Sequence, residues 1–222
     1  MLSPGAPSTG AADIAGRAGS IEARDGRLVT FEGIDGSGKS TQARRLAESL
    51  RGDGCEVVLT REPGGSEGAE AIRALLLGGG TERWSPVTEA LLFTAARRDH
   101  VERLIAPALA AGRIVVCDRF VDSTRVYQGA SGRGELRGLV DRLHAEAVGR
   151  EPDLTLILDV EPEAGLARAA RATRFEAMGL AFQRRLRDGF LALAAEFPGR
   201  CRVIDGSGAQ DEVAARVREA AG

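Results

Sequence analysis

Lysine is almost absent from this sequence: Lys39 is the only one in 222 residues, against twenty-nine arginines. Arginine solvates a surface as well as lysine does, but its planar fork does not replace a compact ammonium where phosphate oxygens converge. The one retained lysine therefore marks a position that needs a point charge. The same scarcity excludes a regulatory GTPase, because guanine recognition through an N-K-x-D element would need a second lysine. Cys55, Cys117 and Cys201 are odd in number, widely spaced and without a CxxC, which excludes a disulfide framework and fits reduced thiols in the cytoplasm. His100 and His144 lie far apart and read as helix-surface or core residues, not metal ligands. No run approaches the roughly eighteen apolar residues of a membrane span. Neither sign of charge dominates: the net charge is −2 and the pI about 5.9. No global field then draws nucleic acid or an anionic membrane, so small molecules are the expected partners. Residues 1–26 are rich in Gly, Ala, Ser and Pro without periodicity, and lack a secretory signal pattern. They are expected to form a disordered extension before a single domain over 27–222.

What is present centres on Phe31–Thr41, FEGIDGSGKST. An apolar β-branched run precedes it and a helical leucine spacing follows, so the order is strand, glycine loop, helix. Within it, Gly33-x4-Gly38-Lys39-Ser40 completes G-x-x-x-x-G-K-[ST]. Glycines at 33, 36 and 38 let successive N–H groups turn toward one phosphate chain, and the helix adds its positive end. The motif assigns ATP to Gly33, Ile34, Asp35, Gly36, Ser37, Gly38, Lys39, Ser40 and Thr41. Lys39 meets the β/γ-phosphates and the Ser40 hydroxyl ligates Mg²⁺. The alternative, a glycine-rich turn with a chance lysine, does not account for the strand and helix on either side.

Downstream, strands are expected near 28–32, 56–60, 113–117, 154–158 and 201–204, alternating with helices near 39–51, 66–77, 87–111, 135–149 and from Asp211. Leu75 and Leu91 belong to the apolar stripes expected to face inward, and Pro107 is expected to kink the long helix. Nearly continuous apolar strands alternating with helices predict a parallel sheet covered on both faces, with ligands at the strands' carboxyl ends. Asp118, closing the strand VVC, is the second candidate Mg²⁺ ligand; the alternative is a strand-end aspartate capping a loop. Phe93 and Arg97, one helical turn apart, can stack on a base and bond its edge, although Phe93 could equally be core. Ser123, Thr124, Tyr127 and Gln128 offer the donors and acceptors that a pyrimidine requires.

Taken in order, FEGIDGSGKST, TREPGG, LLFTAARRDHV, DRF, STRVYQG and RFE resemble the thymidylate kinase family over residues 27–222. The resemblance implies the nucleoside-monophosphate kinase type of P-loop fold, a five-stranded parallel sheet flanked by helices, with a lid. It implies phosphoryl transfer from ATP-Mg²⁺ to dTMP for dTTP synthesis, and a homodimer. It places Asp35 near the transferring phosphoryl, Phe93 on thymine, Arg97 on the thymine edge and Arg119 on the dTMP phosphate. Thr124 and Gln128 fall at the base, and Tyr127 crowds the sugar 2′ position. Some relatives carry a catalytic arginine at the position of Gly36. Here the charge is expected from Arg168, Arg171 and Arg174, with Arg171 central, although a solvated basic face is the plainer reading. Thr173 stands where the family has Asp, and the lid before it is short. The rival readings are another P-loop (deoxy)nucleoside or nucleotide kinase, or a kinase-like protein with an impaired lid.

Overall fold

The computed structural model describes residues 26–79, 83–130, 135–168 and 179–222. Of the expected N-terminal extension only Gly26 is among these, and Arg171, Thr173 and Arg174 lie outside them. Gly26 is already packed: a Cβ there would meet the Leu109 carbonyl oxygen at 2.2 Å.

Strands β1 (Arg27–Glu32), β2 (Val57–Arg61), β3 (Ile114–Asp118), β4 (Leu154–Asp159) and β5 (Cys201–Asp205) form one parallel sheet in the order β2-β3-β1-β4-β5. Their apolar residues serve both faces, as period-two alternation requires. Val29, Phe31, Val116, Leu156 and Leu158 pack on one side with Leu46 and Leu50 of α1 (Lys39–Gly52) and Val213 and Val217 of α9 (Gln210–Ala221). On the other side, Leu28, Val115 and Cys117 meet Ala90 of α3 (Pro86–His100), Val121 of α5 (Val121–Ala130) and Val140 of α6 (Glu135–Ala147). Ile157 packs there with Phe182, Leu186 and Phe190 of α8 (Leu180–Glu196). Each fully buried side chain of this size contributes about 1.5–3 kcal/mol. Neighbouring strands β1 and β3 thus lead to helices on opposite faces. A crevice opens between their carboxyl ends.

Just before Pro107, where a kink is expected, α3 passes through a π-helical turn, Val101–Ile105, into α4 (Ala106–Ala110). Proline has no N–H and its ring crowds the carbonyl four residues back, and a widened turn accommodates both. Two inward assignments are corrected: Leu91 is 48 % exposed and Leu75, on α2 (Glu67–Leu77), is 42 % exposed. Helices α2 and α3 close on the core through small or deeper residues, Ala69, Leu76, Ala90 and Ala96, which leaves those leucines on the flank. Both histidines are buried: His100 bonds Thr60 and Glu62, and His144 packs edge-on against Phe120. The three cysteines are free thiols.

One buried ion cluster fixes α5 to the sheet. The fully buried Asp122 carboxylate accepts from Arg125 Nη1 at 2.9 Å, from Arg200 Nη1 at 2.6 Å and from Thr155 Oγ1 at 3.1 Å. Arg125 keeps Asp141 and Glu151 when Asp122 is removed, whereas Arg200 and the Thr155 hydroxyl lose the carboxylate they bond. Asp122→Ala should therefore cost about 1.5–3 kcal/mol of unfolding free energy, as for hydrogen bonds to a charged group, measured by urea denaturation. A loss below about 1 kcal/mol, as for a surface pair, would contradict this account.

Candidate active site

The loop between β1 and α1 takes the shape its glycines permit. Gly38 caps α1 with φ 94°, a conformation costly for any residue with a Cβ. Gly36 has φ 74°, and a Cβ there would fall 1.9 Å from the Gly165 carbonyl oxygen of α7 (Pro162–Arg168). No arginine fits at position 36. Lys39 is buried and its Nζ donates to the Ile34 carbonyl at 2.6 Å and to Ser37 Oγ at 3.3 Å, so the ammonium lies folded inside the loop.

Parallel register sets what faces this loop. Phe31 is level with Asp118, and Arg61 is level with Asp118 from the other side. Ser40 Oγ donates to Asp118 Oδ2, while Asp118 Oδ1 is buried without a hydrogen-bond partner. A cleft of about 1950 Å³ follows the loop from Asp35 to Gln42 and is closed by Arg168 and by 206–210 at the start of α9.

A second cleft, about 780 Å³, adjoins it and shares Asp35, Glu62, Arg73 and Arg119 with it. It is lined by Phe93, Arg97, Ser123, Thr124, Tyr127 and Gln128, all on α3 or α5. Arg97 is 2 % exposed; its Nε donates to Glu62 Oε2 at 2.7 Å and its Nη2 to Thr124 Oγ1 at 2.9 Å. Phe93 is half-buried, leaving part of its ring toward the cleft. Arg119 sits between the two clefts, with Nη2 on Asp35 Oδ1 at 2.5 Å and Nη1 on Ser123 Oγ at 2.9 Å.

The thymidylate kinase family model matches residues 31–217. The chain belongs to the thymidylate kinase family. It is 66 % identical over 196 residues to the thymidylate kinase of Dinoroseobacter shibae, covering 86 % of this chain and 94 % of that one. It is 64 % identical over 198 residues to that of Ruegeria pomeroyi, covering 87 % and 93 %. The crystal structure of thymidylate kinase from Ehrlichia chaffeensis superposes with a TM-score of 0.73 at 36 % identity, covering 89 % of this chain and all of the other.

Within this thymidylate kinase framework, the residues singled out in the sequence fall into two groups. Those of the glycine loop from Asp35 to Thr41 line the larger cleft with Asp118, while Gly33 and Ile34 are buried outside it; Phe93, Arg97, Ser123, Thr124, Tyr127 and Gln128 line the smaller, and Arg119 lines both. Arg171 lies outside the described residues, whereas Arg168 reaches the wall of the larger cleft and donates to the Gly206 carbonyl at 3.4 Å. Glu62 and Arg73 were not singled out. Glu62 stood within TREPGG, which signals it weakly; Arg73 is one arginine among many on α2 and carries no sequence signal. Arg73 reaches both clefts because α2 packs its Nη1 onto the Pro63 carbonyl at 2.5 Å.

Electrostatics keep the central groups charged at neutral pH. Burial works against the Asp35 carboxylate, but Arg119 and Lys39 outweigh it and hold its pKa below the usual range. Desolvation works against the partly buried Arg119 too, yet Tyr127, Asp35 and Glu32 raise its pKa further above neutrality. Lys39 stays charged at neutral pH but by a narrower margin: burial, then the repulsion of Arg119, bring it down to about 8. The folded free protein thus binds fewer protons than the unfolded chain between about 8 and 10.5. Lys39 weakens stability fully below 8, and that cost is relieved as pH rises to its unfolded value. A phosphate chain needs the ammonium form. ATP affinity should therefore be level up to about pH 8 and then fall, approaching tenfold per unit. Titration by fluorescence or calorimetry checks this, with Lys39→Met expected to bind weakly and without that break. A wild-type affinity that stays level to pH 9.5, about 1.5 units beyond the break, would refute the assignment.

Proposed function

We infer that the protein transfers the γ-phosphoryl group of ATP to dTMP, forming dTDP and ADP. The observation that carries this reading is the second cleft, in which an aromatic ring, Arg97, Thr124, Tyr127 and Gln128 converge beside the phosphate loop. Phe93 offers a face for the pyrimidine and Arg97, oriented by Glu62, a fork for its edge. The Tyr127 hydroxyl donates to Asp35 Oδ2 at 3.2 Å and accepts from Arg119 Nη2 at 3.1 Å. Its ring therefore stands beside the sugar, where it disfavours a 2′-hydroxyl. Ser123 completes the rim at the acceptor phosphate.

Two polyanionic substrates repel each other, and the chain's part is to hold them in line and offset their charge. Lys39 and the loop N–H groups take the ATP phosphates, Arg119 takes the acceptor phosphate, and Asp35 beside both orients the reacting groups. Ser40 and Asp118 suit Mg²⁺: one hydroxyl and one carboxylate with an unpartnered oxygen, the donor pair that such kinases use alongside phosphate oxygens. When bound, the ion offsets charge on the β- and γ-phosphate oxygens. Arg171 is assigned the charge met mainly in the transition state, since a side chain at Gly36 would strike Gly165.

A kinetic panel tests these roles. With ATP-Mg²⁺, dTMP should be preferred to dUMP, UMP, dCMP and thymidine; turnover of thymidine alone would sink the reading. Arg97→Ala should raise KM for dTMP and leave that for ATP within a factor of about two. Arg171→Ala should lower kcat by on the order of 10³ with little change in either KM. A loss below about tenfold at each of Arg168, Arg171 and Arg174 would move that charge elsewhere.

The protein acts as a homodimer in the cytoplasm. Free cysteines suit a reducing compartment, and no helix among the described residues is long and apolar enough to cross a membrane. Leu75 and Leu77 of α2 and Val87 and Leu91 of α3 are between 42 % and 48 % exposed on two packed helices, an apolar surface suited to a second copy. Sedimentation equilibrium should give a dimer that Leu91→Glu dissociates; a monomeric wild type at micromolar concentration would overturn this.

A further inference from the structure

Glu32, the last residue of β1, is fully buried and lies outside both clefts. By alternation its side chain projects from the same face of the sheet as Leu28 and Thr30, toward α5. There it accepts three hydrogen bonds. Oε1 takes the Phe120 N–H at 2.8 Å and the Ser123 N–H at 3.1 Å, and Oε2 takes the Ser123 hydroxyl at 2.5 Å. It thus holds the turn in which Arg119 has φ 72°, an unfavourable conformation for a residue with a long side chain.

The Ser123 hydroxyl has one proton. A carboxylate at 2.5 Å can only accept, so that proton points at Glu32 and the oxygen's lone pairs are left to receive Arg119 Nη1 at 2.9 Å. We propose that Glu32 is a positioning residue for dTMP binding, fixing the phosphate-binding guanidinium of Arg119 through the orientation of the Ser123 hydroxyl, and that it does so only as a carboxylate. The proposal rests on the reading of Arg119 as the residue that holds the acceptor phosphate.

The chemistry of the protonated form follows from the same partners. Phe120 N–H and Ser123 N–H are donors and cannot accept a carboxylic proton, so the acid would donate to Ser123 Oγ. The serine proton would then be released from Glu32, and the Ser123 oxygen would no longer be held with its lone pair on Arg119 Nη1. Burial, followed by the charge of Asp122 on α5, pushes Glu32 up to about 7. Arg119 opposes this, as does hydrogen bonding from Ser123 and Phe120. Lys39 of α1 and the thiols of Cys117 on β3 and Cys201 on β5 also sense its charge. The exchange therefore falls in the working range. Relative to the unfolded chain, folded Glu32 binds more protons between about 4.5 and 7. Its carboxylate consequently lowers stability as pH rises through that window, and the cost is fully present above it.

Glu32→Gln separates this role from a structural one. Its amide oxygen can still accept from both N–H groups, but its NH₂ must donate to Ser123 Oγ, which imitates the acid. At about pH 8 the variant should raise KM for dTMP roughly tenfold, change kcat by less than about threefold and melt no lower than wild type. Wild-type kcat/KM for dTMP should fall through about pH 7 more steeply than that of Glu32→Gln, the two converging toward about pH 6. The titration of the dTMP phosphate is common to both curves and cancels. Ser123→Ala cuts the link, so Glu32→Gln/Ser123→Ala should bind dTMP no worse than the weaker single variant. Parallel pH profiles, additive losses, or a lowered melting point with unchanged KM would each overturn the proposal. Arg119→Ala with an unchanged KM for dTMP would instead remove the underlying reading. An impaired Arg119→Ala beside a wild-type-like Glu32→Gln would sink Glu32's role alone.

Discussion

Parallel pairing of β1 with β3 brings Phe31 level with Asp118, and the active site hangs from that register. The two strands end together but send their chains to opposite faces of the sheet, so the phosphate loop and the Asp118-Arg119 turn leave the same edge and diverge. The crevice between them is where two phosphorylated substrates can approach each other. A slip of one residue would turn Glu32 toward the wrong face, and would part Ser40 from Asp118.

Charge is arranged around that crevice in opposed pairs. Arg119 lies against Asp35 and Arg97 against Glu62. Each arginine is immobilised by a carboxylate before any substrate arrives, so little reorganisation is left for the binding step. The arrangement also explains why lysine could be lost elsewhere. Arginine's fork suits paired, bidentate geometry, whereas the interior of the glycine loop has room for a compact ammonium. The Glu32 carboxylate completes the pattern at a cost in stability, as expected of a group retained for positioning.

Much was legible in the sequence because local rules carry it. Five apolar runs alternating with helical spacing were enough for a covered parallel sheet, and their ends shifted by only a residue or two. Phe93 and Arg97 were recognisable because one helical turn separates them. Leu75 and Leu91 were misplaced for the opposite reason: periodicity marks an apolar stripe but not how much of it neighbouring elements cover. Pro107 marked where the long helix leaves regular geometry, but helix rules do not show that the departure takes the form of a π turn.

The sequence by itself determined the phosphate loop, the strand-helix alternation and the family, since each is written in contiguous residues whose spacing is the chemistry. Tertiary structure alone decided that Glu62 orients Arg97, that Arg73 reaches both clefts, and that Gly165 closes position 36. It alone decided that Glu32 reaches Ser123 across ninety-one positions of chain. These contacts join residues distant in sequence, so no local pattern encodes them; they exist only once the sheet register and helix packing have set the directions of the side chains.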